Sequence, residues 1–183
     1  MDFEQAVNSR RTVRSFSPRE IPPELVRAMI ACAVRAPSSM NGQPWYFIIV
    51  RDRETKKRLA AVKDRFCPPE KREYPAAFML QAPVILITCV NRAKSYDRAI
   101  ENGVLATGHL LLAAANYGLT AVYMSAYKTD MPEVAEEIRA ILRIPSEVDP
   151  ITLLPMGYPA QEPGPKTLTS PDEVIFHEAF DRK

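Results

Sequence analysis

The stretch from Tyr96 to Tyr117 constrains this chain more than any other. Val104, Leu105, Ala106 and the run Leu110-Leu111-Leu112-Ala113-Ala114-Ala115 make its centre almost wholly apolar, over a length that predicts the longest helix of the chain. A helix that is apolar on most sides has to be covered on most sides. In a chain of 183 residues that leaves two arrangements: a helix at the centre of the core, or one packed against a partner subunit. Gly118 follows as a helix C-cap.

The rest of the chain alternates between helical and strand patterns. Phe3, Ala6 and Val7 share one face of a short helix over 2–9. Pro22 and Pro23 suit the first turn of a second helix, from about Glu24 to Arg35, because the missing N–H costs nothing there. Trp45–Val50 is aromatic and β-branched and reads as a buried strand. Helical spacing returns from Glu54 to Phe66. Val84–Val90 is a continuous apolar strand, Leu119–Met124 another, Pro132–Leu142 a helix, and Ile151–Met156 a last strand. This order predicts a single domain over 1–183 built on a sheet with helices on both faces. Cys67–Pro75, which contains Tyr74, reads either as a cover over a site or as a plain surface connection. The Pro-rich segment 160–183 has little core of its own and is expected to lie as an arm across a partner subunit.

Composition excludes several classes of function. The formal net charge of +2 lacks the basic excess of a nucleic-acid binder. The longest apolar stretches fall short of the ~20 residues of a membrane span, and no signal core opens the chain, so a soluble cytoplasmic protein is expected. Cys32, Cys67 and Cys89 show no CxxC spacing, and His109 and His177 are the only histidines. No metal site, Ser-His-acid order or GxxxxGK[ST] loop follows from these. A catalyst with so few reactive side chains implies a cofactor that carries the chemistry.

Three segments suit such a cofactor. Arg10, Arg11, Thr12 and Arg14 bring planar donor forks and a hydroxyl that match phosphate oxygens, or else form a solvated basic face. Ala36-Pro37-Ser38-Ser39-Met40-Asn41-Gly42-Gln43-Pro44-Trp45 sets hydroxyls and amides between a helix and a strand. Such groups suit the mixed edge of a flat heterocycle, or a structured turn. Gly157-Tyr158-Pro159 and Pro165-Lys166 add one lysine in a Pro-stiffened stretch, which either reaches an anion or is a plain surface lysine.

Taken together these segments resemble the FMN-dependent nitroreductase family. The resemblance runs in order through Arg10–Phe16, Ile21-Pro22, Ala36–Trp45, Leu110–Leu119, Met156–Pro159 and Pro165-Lys166. It implies an α+β fold, a three-layer α/β/α sandwich with a mixed, mainly antiparallel sheet, and an obligate homodimer with two non-covalent FMN sites at the subunit interface, a reduced nicotinamide, NAD(P)H, as electron donor, and a small-molecule acceptor such as a nitroaromatic or quinone. It further implies that Arg10, Thr12, Arg14 and Lys166, with Arg11 beside them, bind the FMN phosphate. Pro37, Ser38, Ser39, Asn41 and Gln43 would meet the flavin from the other subunit. A backbone N–H at Ser125-Ala126 would point to the flavin N5, and Tyr74 and Phe78 would line the substrate pocket. Leu168 stands where many members carry a basic residue, and the region of Pro75 and Phe78 lacks the Asn and Lys that some members place near the flavin. The alternatives are a specialised reductase of the same family, such as an enone reductase or a dehalogenase, and a non-enzymatic flavin-binding or storage protein.

Overall fold

The computed structural model describes residues 1–68, 75–180 and 182. In chain order the elements are α1 (Phe3–Ser9), α2 (Pro23–Ala33), β1 (Trp45–Val50), α3 (Arg53–Arg65), β2 (Val84–Asn91), α4 (Ala99–Asn116), β3 (Thr120–Ala121), β4 (Met124–Ser125), α5 (Glu133–Leu142), β5 (Val148–Gly157) and α6 (Pro171–Val174). One-turn 3-10 helices occupy Ser39–Asn41 and Ala76–Leu80. Tyr74 and most of the Cys67–Pro75 loop lie outside the described residues.

The strands form one sheet in the order β1-β2-β5-β3, with β4 also on β5, and each of these pairings is antiparallel. β2 is apolar at successive positions because both faces of the sheet are covered. Ile85, Ile87 and Cys89 face α3 and α5 through Leu59, Val62, Val134 and Ile138. Val84 and Leu86 face α2 and α4 through Val26, Met29, Leu110 and Ala114. The period-2 alternation of strand side chains thus divides the core into two halves and produces the three layers. α4 seats closely on the sheet because Gly103 has no side chain: a Cβ there would come within 2.7 Å of Ile151. Thr107 on α4 meets Thr152 Oγ1 at 2.8 Å and Thr88 Oγ1 at 3.2 Å, so the hydroxyls buried in this half of the core satisfy one another.

Several boundaries differ from the sequence reading: β5 begins at Val148 and not Ile151, and α2 ends at Ala33 and not Arg35. α4 begins at Ala99 and not Tyr96, because Tyr96 and Asp97 take φ of 48° and 58°, outside helical space. The single strand expected over Leu119–Met124 divides into β3 and β4. The two pairs share one register on β5, and the Val122 amide still donates to Pro155 O at 2.9 Å. Pro155 has no N–H to return the bond, so the ladder lapses there.

Candidate functional site

The arginine segment is held by its backbone. Thr120 Oγ1, on β3, donates to Arg11 O at 2.9 Å and accepts from Val13 N at 3.2 Å. Val13 is buried, and the extended alternation turns Thr12 and Arg14 outward. Downstream, the Ser17 amide donates to Tyr158 O and the Ala160 amide to Ser15 O, so the segment continues along the end of β5. Gly157 permits this, since a Cβ there would meet Pro83 at 2.7 Å and Phe16 at 3.1 Å. Within the cluster the arginines diverge. Arg11 turns back on the end of α1, its Nη1 donating to Asn8 O at 2.5 Å and Arg10 O at 3.0 Å, while its buried Nε has no partner among the described residues. Arg14 lies over the Phe78 ring at 5.8 Å from the centroid.

Arg14 and Phe78 form one side of a cleft of about 360 Å³. The cleft is also lined by Lys63 and Phe66 from α3 and its C-terminal end, and by Tyr123, Ser125, Tyr127 and Lys128 from β4 and the chain on either side of it. Lys63 Nζ donates to Ser125 O at 2.7 Å. Burial, aided by the neighbouring charge of Lys128, pushes the Lys63 ammonium below the usual lysine range. Burial likewise pushes the Tyr123 phenol upward. At the Ser125-Ala126 pair the Ala126 amide is spent on Ile151 O at 2.9 Å. Successive residues of an antiparallel ladder point their amides alternately toward and away from the partner strand. The Ser125 amide therefore faces away from β5, on the side of the carbonyl that meets Lys63. The Ser125 hydroxyl closes a local turn by donating to Tyr127 O at 2.7 Å.

The remaining expected contacts lie elsewhere. Lys166 is exposed on the arm. Pro37, Ser38, Ser39, Asn41 and Gln43 sit before β1, with left-handed backbone at Met40, Asn41 and Gln43 (φ 50°, 53° and 44°). That conformation is held from several sides. Gln43 N donates to Ser38 Oγ at 3.0 Å, and Ser39 N donates to Asn102 Oδ1 at 3.0 Å. Asn102 is itself buried on α4 and donates to Ser95 O at 3.2 Å. A Cβ at Gly42 would sit 2.2 Å from Lys94 O and 3.2 Å from the Tyr96 ring, so the turn presses directly on the Lys94 backbone.

This loop joins β1 where β2 ends, and β5 begins beside that end; the arginine segment lies at the other edge of the sheet, where β5 finishes. At ordinary strand spacings the two are separated by about 14 Å across the sheet and about 30 Å along it. One chain does not bring both to one small ligand.

Lys63, Lys128 and Asn102 were not singled out from sequence. Lys56 and Lys63 share helical spacing with Leu59 and Ala60, which places both lysines on the inward face of α3; that phase is the signal for Lys63. Lys56, by contrast, is spent on the fold, its Nζ donating to Ala82 O at 2.6 Å.

The donor set suits the anionic end of a nucleotide and a flat ring: arginine forks, a hydroxyl, an outward amide, an aromatic wall and an excess of cations. Among the described residues no group of His, Cys, Asp and Glu gathers to hold a metal ion, and no helix is long and apolar enough to cross a membrane.

Comparison with known proteins gives the same direction. Residues 7–158 match the profile of the Nitroreductase family. A protein of Methanothermobacter thermautotrophicus, provisionally named NADH dehydrogenase/NAD(P)H nitroreductase, is 34% identical over 176 residues, covering 95% of this chain and 86% of its own. A crystal structure of a Parabacteroides distasonis protein with the same provisional name superposes with a TM-score of 0.84 at 28% identity, covering 97% and 98% of the two chains. Iodotyrosine deiodinase, crystallised with FMN and 3-iodo-L-tyrosine, superposes with a TM-score of 0.79 at 30% identity, covering 97% and 99%.

Proposed function

The chain belongs to the nitroreductase family, and from that membership we propose that it is an NAD(P)H-dependent FMN oxidoreductase, a cytoplasmic homodimer whose acceptors are nitroaromatics, quinones or similar small oxidised molecules. The observation that carries this reading is the cleft between Arg14-Phe78 and Lys63-Ser125, which joins cations, an aromatic wall and an amide turned away from its own sheet. Bound FMN would supply the redox chemistry, accepting electrons from the nicotinamide and making them available to the acceptor.

What the protein itself contributes is binding and orientation. Arg10, Thr12, Arg14 and Lys166 hold the phosphate, with Arg11 beside them fixing the segment to the end of α1. The Ser125 amide is the donor on offer to the ring edge. Pro37, Ser38, Ser39, Asn41 and Gln43 come from the second subunit, which answers the separation of the two half-sites within one chain. The single domain of 1–183 sends its 160–183 arm, with exposed Leu168, Val174 and Ile175, over that partner. Phe78 lines the acceptor's side of the cleft; the other pocket candidate, Tyr74, is outside the described residues.

The test begins with the absorbance of the purified protein. It is expected to show flavin bands, to bleach anaerobically with NADH or NADPH, and to recover when menadione or a nitroaromatic is added. A protein that stays colourless after incubation with FMN overturns the proposal; one that binds FMN but does not bleach is a carrier and not an enzyme. The deiodinase likeness favours one second reading, a dehalogenase of iodinated aromatics. Release of iodide from 3-iodotyrosine by the reduced protein, faster than menadione turnover, would support it.

A further inference from the structure

We propose that Lys63 and Lys128 form an anion subsite in the cleft, and that the acceptor this enzyme prefers is an aromatic ring bearing a negative charge. The proposal rests on the flavoenzyme reading above and adds the chemistry of the acceptor.

Among the described residues, Arg14, Lys63 and Lys128 line the cleft, with Asp64 the carboxylate there. Asp64 is already committed, its Oδ1 accepting the Ala76 amide at 2.6 Å to cap the Ala76–Leu80 turn. Arg14 belongs to the cofactor in the reading above, which leaves the two lysines. Among the described residues neither has a carboxylate partner; Lys63 Nζ meets a backbone carbonyl and Lys128 Nζ a methionine sulfur at 3.6 Å. An ammonium carries three donors, so the single bond to Ser125 O leaves two on Lys63. The two neighbouring cations repel each other, and burial raises the cost of the Lys63 charge. An anion beside them relieves both penalties at once. Each lysine is also set by a different element, Lys63 by α3 and Lys128 by the chain after β4, so the pair is held by the fold and not by one mobile loop. Around them stand Phe66, Phe78, Tyr123 and Tyr127, which suit a flat ring.

The nicotinamide donor also carries negative charge, on its phosphates, so the experiment separates the two sources. Holoenzyme and its Lys128→Met and Lys63→Met variants are titrated with benzoate and benzamide by calorimetry and with NADH by rapid reduction. Turnover is compared on 4-nitrobenzoate and 4-nitrobenzamide, which share ring and nitro group and differ in charge. Wild type is expected to bind benzoate about tenfold more tightly than benzamide and to prefer the nitrobenzoate in kcat/KM by a similar factor. Both preferences should shrink with added salt and fall about tenfold in Lys128→Met, with the affinity for FMN within about twofold of wild type. Equal binding of the two ligands by wild type overturns the inference while leaving FMN binding and turnover intact. A loss confined to NADH assigns the lysines to the donor, and a matching loss of FMN assigns them to the cofactor; either overturns it. A protein that takes up no FMN overturns the flavoenzyme reading and this inference with it.

Discussion

Arg11 and Arg14 are three residues apart, and the backbone between them decides what each can do. Because Val13 is drawn into the core and Thr120 clips the chain on either side of it, Arg14 is presented at the cleft while Arg11 folds back on α1. Arg14→Ala should therefore weaken FMN binding by a charge-assisted contact, about 1.5–3 kcal/mol or roughly tenfold to a hundredfold in dissociation constant. Arg11→Ala should chiefly lower thermal stability, by about 1 kcal/mol for its bonds to carbonyls at the end of α1. Equilibrium dialysis and melting curves on both variants check the division; equal loss of flavin from both would refute it. Cys89 offers a pH signature of the core. Burial pushes its thiol up from 9.0 to about 12. Below pH 9 folded and unfolded thiols are both protonated and stability is unaffected. Between pH 9 and about 12 the unfolded thiol ionises and the folded one does not, so stability falls, by at most about 1.4 kcal/mol per pH unit. Lys56 acts in the opposite sense, since burial lowers its pKa from 10.5 and the fold gains stability as pH rises toward that value. The difference between wild type and Cys89→Val isolates the thiol: in denaturant titrations it should be constant up to pH 9 and then move in favour of the variant.

At the scale of elements, the turn before β1 depends on a helix 63 residues away in sequence. Three left-handed non-glycine residues are costly, and Asn102 on α4 is the side chain that joins this turn to the 91–98 segment. Asn102→Ala should loosen the turn and raise the FMN dissociation constant by about tenfold, since the partly buried Ser39 amide loses its acceptor. Asn102→Asp keeps the acceptor for the Ser39 amide and should restore part of the affinity. If alanine and aspartate cost the same affinity at the same melting temperature, the turn is not held through this bond. The turn's existence was legible, because Asn41-Gly42 and the flanking prolines announce it, whereas its anchor was not: an asparagine inside an apolar helix carries no mark of its partner. Helix and strand periods were legible wherever burial has one sign, as in β2 or α4. Boundaries escaped where a single backbone group decides, such as the missing N–H of Pro155 or the positive φ of Tyr96. Lys63 was hidden for a related reason. In a helix with five other basic residues only its phase relative to Leu59 separates a cleft lysine from a solvated one.

At the scale of the whole molecule, the arginine segment and the Pro37–Gln43 turn lie at opposite corners of the sheet. No rotation of side chains closes a gap of tens of ångströms, so a site that uses both has to draw them from two chains. α4 supplies a surface for this. Its inner face is buried, but Ile100, Val104, Gly108, Leu111 and Leu112 follow helical spacing on a face that is only partly covered, with Leu105 beside them 44% exposed. A Cβ at Gly108 would meet nothing within 4 Å, which leaves room for close approach of another backbone. Monomers rarely leave such a stripe open. One face of α4 builds the core, and the other leaves apolar side chains partly open in the single chain. Leu105→Glu changes a side chain that the monomer's core does not need, so the fold should persist. Sedimentation should then show the wild type as a dimer and the variant shifted toward monomer, with FMN affinity falling in the same proportion as the dimer fraction. A variant that is monomeric yet still binds FMN as wild type does would mean that one chain completes its own site, and the second subunit's turn would lose its role.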